Sequence, residues 1–202
     1  MIVKICGITN REDALAAVDA SVSALGFNFY PRSPRYIEPE AAADLIRLLP
    51  AAIWKVGVFV NEAPERIVEL ARRIGLDVAQ LHGDELPRSA PEGIRVWKAL
   101  RMHDSFDPAV MEAYQVEAFL LDAASSDLYG GTGMTFDWAR ASGLGKKVIL
   151  AGGLDAGNVR EAIRRTRPWG VDACSHLEHG PGRKDHEKMR AFVEAARTEA
   201  AE

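Results

Sequence analysis

Cysteine is scarce in this chain. Two of its 202 residues are cysteines, Cys6 and Cys174, far apart and without a Cys-x-x-Cys pair, so no disulfide framework is expected. Met1 runs straight into the strand-like "IVKIC" with no leader-type segment, which makes a reducing cytoplasm the expected location. Long apolar runs are missing too, since nothing approaches the roughly 20 residues that cross a bilayer. There is no block of Lys and Arg, and the formal charge is −4. Neither a membrane nor a nucleic acid is an expected partner, and an anionic ligand has to be held by a local site. No low-complexity tract or Gly/Ser-rich linker divides the chain. One domain over residues 1–202 is therefore expected, with the oligomeric state left open by the sequence and a monomer as the default.

Several catalytic signatures are absent as well. No Gly-x-Gly-x-x-Gly follows the first strand-like run, and there is no Gly-x-Ser-x-Gly elbow or Walker loop, which argues against a dinucleotide-binding sheet, an esterase and a nucleotide hydrolase. His82 has no second histidine at ligand spacing, so no metal is expected and no cofactor is called for.

What the chain does have is a regular alternation. Short runs rich in Val, Ile and Phe recur: "IVKIC" (2–6), "ALGFNF" (24–29), "WKVGVF" (54–59), "DVAQL" (77–81), "RVWKAL" (95–100), "AFLLD" (118–122), "KVILA" (147–151) and "GVDAC" (170–174). Between them lie segments with apolar residues at helical spacing, several opened by an N-cap residue or by a first-turn proline such as Pro39 or Pro64. Short helices are expected near 84–90, 107–115 and 135–141 besides the longer ones. Near-continuously apolar strands joined through helices make a parallel sheet, because parallel neighbours need crossover connections. Eight such units in a chain of this length give an α/β fold, a compact (β/α)8 barrel of eight parallel strands ringed by helices.

In such a barrel the functional groups lie at the C-terminal ends of the strands. Gly152 and Gly153 after the seventh strand and Ser175 after the eighth occupy the usual phosphate position, where backbone N–H groups approach an anion closely. Asp122 closes an apolar strand, where a carboxyl in a partly dry mouth is able to hold a proton and serve as an acid. Cys6 closes the first strand on the far side of the ring, and a thiolate there would complete an acid/base pair. Arg35, in "PRSPRY", offers a planar fork for a carboxylate. These residues describe a small phosphorylated substrate and proton transfer without a cofactor, and they do not name the substrate.

At these residues the chain resembles the phosphoribosylanthranilate isomerase family. The likeness is carried by ordered strings over almost the whole length: "KICGIT", "GFNFYPRSPRYI", "VGVFVNE", "QLHGDE", "LLD" followed by "GGTGMTFDW", "GGLDAGNV" and "GRKD". The resemblance implies an Amadori rearrangement in the tryptophan pathway. In it Asp122 would protonate the furanose oxygen, Cys6 would remove the C2 proton and Arg35 would hold the anthranilate carboxylate. Gly152, Gly153 and Ser175 would line the phosphate site, and Lys4, His82 and Asp172 would support the reacting groups without touching substrate. One stretch departs from the family's Asp-x-Ser-Ser-Gly-x-Glu. This chain reads "DACSHLE", with Cys174 for the first serine and His176 for the glycine. His176 would either crowd the phosphate or add charge beside it. Two other readings stay open on the sequence: an isomerase of a histidine-pathway aminoaldose, and a barrel that has kept ligand binding and lost catalysis.

Overall fold

The structure, a computed structural model, describes residues 1–123 and 137–201. Eight parallel strands close into a barrel in chain order. They are β1 (Ile2–Ile5), β2 (Ala24–Asn28), β3 (Trp54–Phe59), β4 (Val78–Leu81), β5 (Arg95–Met102), β6 (Ala118–Ala123), β7 (Val148–Leu150) and β8 (Gly170–Ala173). Closure is made by β1 against β8, with Val3 beside Val171 and Ile5 beside Ala173.

Alternation along the strands divides the side chains into two sets. Val3, Ile5, Leu25, Phe27, Leu121 and Val171 point outward into the layer they share with Ala14, Ile67, Val159 and Phe192 of the helices. Ala24, Val56, Val78, Trp97, Leu120 and Ile149 point inward and fill the lower barrel. At its N-terminal end the interior is closed by three indoles: Trp97 is fully buried, with ring centroids 5.8 Å from both Trp54 and Trp169. The same inward rows turn polar toward the C-terminal end, at Lys4, Cys6, Gln80, Asp122 and Asp172. Gly26 is what lets β1 do this, because a Cβ there would lie 2.7 Å from the Cys6 sulfur and 3.2 Å from Lys4 Cε.

The long connections are helices α1 (Arg11–Asp19), α2 (Pro39–Ile46), α3 (Pro64–Ile74), α4 (Val159–Thr166) and α5 (His186–Ala201). Asn10 caps α1 by accepting from Asp13 N, and Gly75 ends α3 in the left-handed conformation. The three expected helices after β4, β5 and β6 are instead 3-10 turns, at Pro87–Ser89, Pro108–Ala113 and Trp138–Ala141. The reason is local. The first buries no residue, the second only Met111 and the third only Ala141, too little apolar stripe to hold an α-helix against the sheet. A feature absent from the sequence reading follows β8: a small antiparallel hairpin of β9 (Glu178–Gly180) and β10 (Arg183–Lys184). Among the described residues no helix is long and apolar enough to cross a membrane. The "GGTGMTF" part of the quoted motif, residues 130–136, lies outside the described residues.

Candidate active site

A cavity opens at the C-terminal mouth of the barrel. Every sequence-nominated site residue lines it except one: Cys6, Arg35, His82, Asp122, Gly152, Gly153, Asp172, Ser175 and His176 face the space. Lys4 lies beneath them, fully buried, its Nζ donating to Asp172 Oδ1 at 2.8 Å.

Cys6 follows β1 and faces Cys174, the residue after β8. A hydrogen bond from Cys174 is the largest influence on Cys6 and lowers its pKa well below the usual thiol value; burial opposes this, and the charges of Lys4 and Lys184 reinforce it. The interaction with Cys6, and after it desolvation, push Cys174 the other way, and it stays a thiol. Burial raises Asp172 to about 7 against the pull of Lys4, and the negative charge of Cys6 adds to the rise. Lys4 remains charged: burial works against its ammonium, but Asp172 and Cys6 together outweigh it.

Asp122 ends β6, buried at 6% exposure. His82 Nε2 stands 3.3 Å from Asp122 Oδ2, and His82 Nδ1 is 2.9 Å from Gln80 Nε2. Gln80 was not nominated from the sequence, although "QLHG" places it on the same inward row as His82, two residues earlier.

Arg35 reaches the cavity from the loop after β2, and its guanidinium is already clamped. Nε donates to both Glu178 oxygens at 3.0 and 3.1 Å, and Nη2 donates to Oε2 at 2.8 Å. Glu178 also accepts from Lys184 Nζ at 2.8 Å and from Gly182 N at 3.4 Å. Arg35 is accordingly held well above its ordinary pKa, with Glu178 overcoming burial. Glu178 and Lys184 are the main residues that sequence reasoning missed. Lys184 lies in the quoted string "GRKD" and Glu178 in the departing stretch "DACSHLE", but only the hairpin folds them back under Arg35 and Cys174.

The loop after β7 has the backbone of an anion cradle. Gly152 and Gly153 both take positive φ, 84° and 61°, and a Cβ on Gly152 would meet Ala123 N at 2.6 Å. Asn158 holds the loop, donating from Nδ2 to Gly153 O at 2.8 Å and accepting from Asp155 N. Ser175 opens a 3-10 turn on the opposite side. The imidazole of His176 is turned to the rim, with Nδ1 3.5 Å from Asp155 Oδ2 and the side chain about one-third exposed. It bridges the loops after β7 and β8 while still bordering the cavity beside Gly152 and Ser175. Among the described residues no group of three or more His, Cys, Asp or Glu side chains is arranged to hold a metal ion.

Comparison with known proteins agrees with this arrangement. The family model for N-(5'phosphoribosyl)anthranilate (PRA) isomerase matches residues 3–195. The N-(5'-phosphoribosyl)anthranilate isomerase of Solibacter usitatus is 51% identical over 197 residues, 98% of each chain. Among solved structures, phosphoribosyl anthranilate isomerase from Thermus thermophilus superposes with a TM-score of 0.90 at 38% identity, covering 98% of this chain and 99% of that one. A phosphoribosyl anthranilate isomerase in complex with reduced 1-(o-carboxyphenylamino)-1-deoxyribulose 5-phosphate gives a TM-score of 0.83 at 39% identity, covering 98% and 100%. With likeness running through strands, loops and mouth alike, the chain belongs to the phosphoribosylanthranilate isomerase family.

Proposed function

We propose that this barrel isomerises N-(5'-phosphoribosyl)anthranilate to 1-(2-carboxyphenylamino)-1-deoxyribulose 5-phosphate, with Asp122 as acid and Cys6 as base. Protonation of the furanose oxygen by Asp122 breaks the C1–O bond and leaves an iminium at C1. The Cys6 thiolate then takes the proton from C2. The released electron pair forms the C1–C2 double bond and neutralises the nitrogen, and the resulting enolamine tautomerises to the ketone. Gly152, Gly153 and Ser175 receive the phosphate, and the Arg35 edge left over from Glu178 receives the anthranilate carboxylate.

The observation that carries this reading is the pairing of a depressed-pKa thiol on β1 with a carboxyl on β6 in one cavity. A reduced form of the same product occupies a solved relative, which supports the substrate class. The same reading takes residues 1–202 as one domain acting as a cytoplasmic monomer, which sedimentation of the purified protein tests for assembly state. The decisive assay follows loss of substrate fluorescence with freshly made phosphoribosylanthranilate. Wild-type turnover falling by about 10² or more in both Cys6→Ser and Asp122→Asn is the expected result, and undiminished turnover in either variant refutes that residue's role.

A further inference from the structure

We propose that Cys6 and Cys174 form a reversible oxidation site at the mouth of the barrel, in which a hydroperoxide converts the two thiols into one intrachain disulfide. The geometry follows from strand pairing. Ile5 is registered with Ala173, and Cys6 N donates to Ala173 O at 3.0 Å. Cys6 and Cys174 are therefore the next pair along two adjacent parallel strands, and both side chains face the same cavity. Paired strands lie about 4.8 Å apart, inside the window of about 4.4 to 6.8 Å between Cα atoms that a disulfide accepts. The Cys174 sulfur leans over the end of β1, where a Cβ on Gly7 would come within 3.1 Å of it.

The surroundings divide the two sulfurs into attacking and resolving roles. Cys6 is the thiolate, with the Lys4 ammonium beneath it. Cys174 keeps its hydrogen, with Lys184 Nζ 3.7 Å and Glu178 Oε1 3.9 Å from its sulfur. Neither residue is sealed from the cavity, since both are partly exposed, so a small peroxide reaches them. In the first step the Cys6 thiolate attacks the peroxide oxygen, the O–O bond breaks, and a sulfenic acid forms with release of alkoxide or hydroxide, which takes up a proton. In the second step the Cys174 sulfur attacks the sulfenic sulfur, the S–O bond breaks, and water leaves carrying the Cys174 proton. The serine found at this position in the family's pattern has no sulfur to close the second step. Reduction by a dithiol returns both thiols. Loss of activity on oxidation rests on Cys6 being the base; formation of the disulfide does not.

The test treats the folded protein with hydrogen peroxide, then denatures and alkylates it. The wild type is expected to lose both titratable thiols together and about 2 Da of mass, to yield a Cys6–Cys174 cross-linked peptide, and to recover most of its lost turnover with dithiothreitol. In Cys174→Ser, Cys6 is expected to gain oxygen instead, and turnover lost relative to that variant's own starting value is not recovered. Wild-type protein that gains oxygen at Cys6 without the cross-link overturns the proposal, as does equal recovery in both proteins. A cross-link that forms while turnover stays intact supports the oxidation site and overturns Cys6 as the base, so the two failures are told apart.

Discussion

Replacing Glu178 by Gln isolates one carboxylate whose loss is large and whose consequences are separable. The side chain is only 4% exposed, its partners Lys184 and Arg35 are 0% and 13% exposed, and it takes hydrogen bonds from both cations. Gln keeps the volume and one accepting oxygen, but its amide group turns a donor toward whichever cation is left. Hydrogen bonds to charged groups are worth about 1.5 to 3 kcal/mol each, and removing one member of a buried pair typically costs about 3 to 5 kcal/mol. Because the remaining oxygen still serves one cation, the lower end applies, about 3 kcal/mol. With a urea slope near the upper end for a chain of this size, roughly 2 to 3 kcal/mol per molar, the unfolding midpoint falls by about 1 to 1.5 M. Urea titration followed by tryptophan fluorescence measures it. Turnover adds a second readout: with its clamp gone, Arg35 no longer presents its free edge in a fixed direction, so KM rises more than kcat falls. A midpoint within about 0.3 M of wild type at unchanged slope, together with an unchanged KM, refutes the view that Glu178 organises Arg35 and Lys184.

Further outcomes follow from other residues. Lys4→Met removes a charge that favours the Cys6 thiolate, so the acid limb of the kcat/KM profile moves to higher pH; an unmoved limb contradicts the pairing. Burial lifts Asp172 from the usual carboxylate value of 3.8 to about 7. The folded state thus binds the extra proton, and stability present below the lower value drains away as pH rises through the upper one; urea midpoints of Asp172→Asn between pH 4 and 7 should lose that slope. Gly152→Ala places a Cβ 2.6 Å from Ala123 N at a φ of 84°, so KM for the phosphorylated substrate should rise at least tenfold, on the order of 1.4 kcal/mol, with inorganic phosphate inhibition weakened in parallel. Trp97→Ala hollows the bottom of the barrel and should cost about 3 to 5 kcal/mol in urea unfolding, with little change in KM.

The strands were legible because parallel barrel strands are apolar on both faces: β3 has the bounds that its composition suggests, and the others shift by one or two residues. The polar ends of the inward rows were legible too, since Cys6 and Asp122 interrupt runs that otherwise carry no reason for a thiol or an acid. The connections after β4, β5 and β6 were not. Proline and scattered apolar residues look alike at the start of a helix and of a 3-10 turn, and what separates them is how many side chains reach the sheet. Glu178 escaped notice for a different reason. Its partners Arg35 and Lys184 come together through a hairpin whose turn, around Gly182, carries no periodic signal. His176 was expected to act on the phosphate position, and its contact with Asp155 across the two loops carries no signal in the sequence.

The balance of charge under the mouth explains why a carboxylate 2.8 Å from an ammonium still has a raised pKa. Lys4 is one buried cation facing two acids, Cys6 and Asp172. In a dry interior a second negative charge costs more than one shared cation returns, so the site favours the anion of one acid, Cys6, and holds the other up at about 7. Cys174 beside Cys6, together with the charges of Lys4 and Lys184, tips the balance toward the Cys6 anion. A serine hydroxyl in its place would donate as well, but it would bring no sulfur beside the thiolate. The substitution that sets this chain apart from its family's pattern therefore preserves the donor that favours the Cys6 anion while adding sulfur chemistry that the serine lacks.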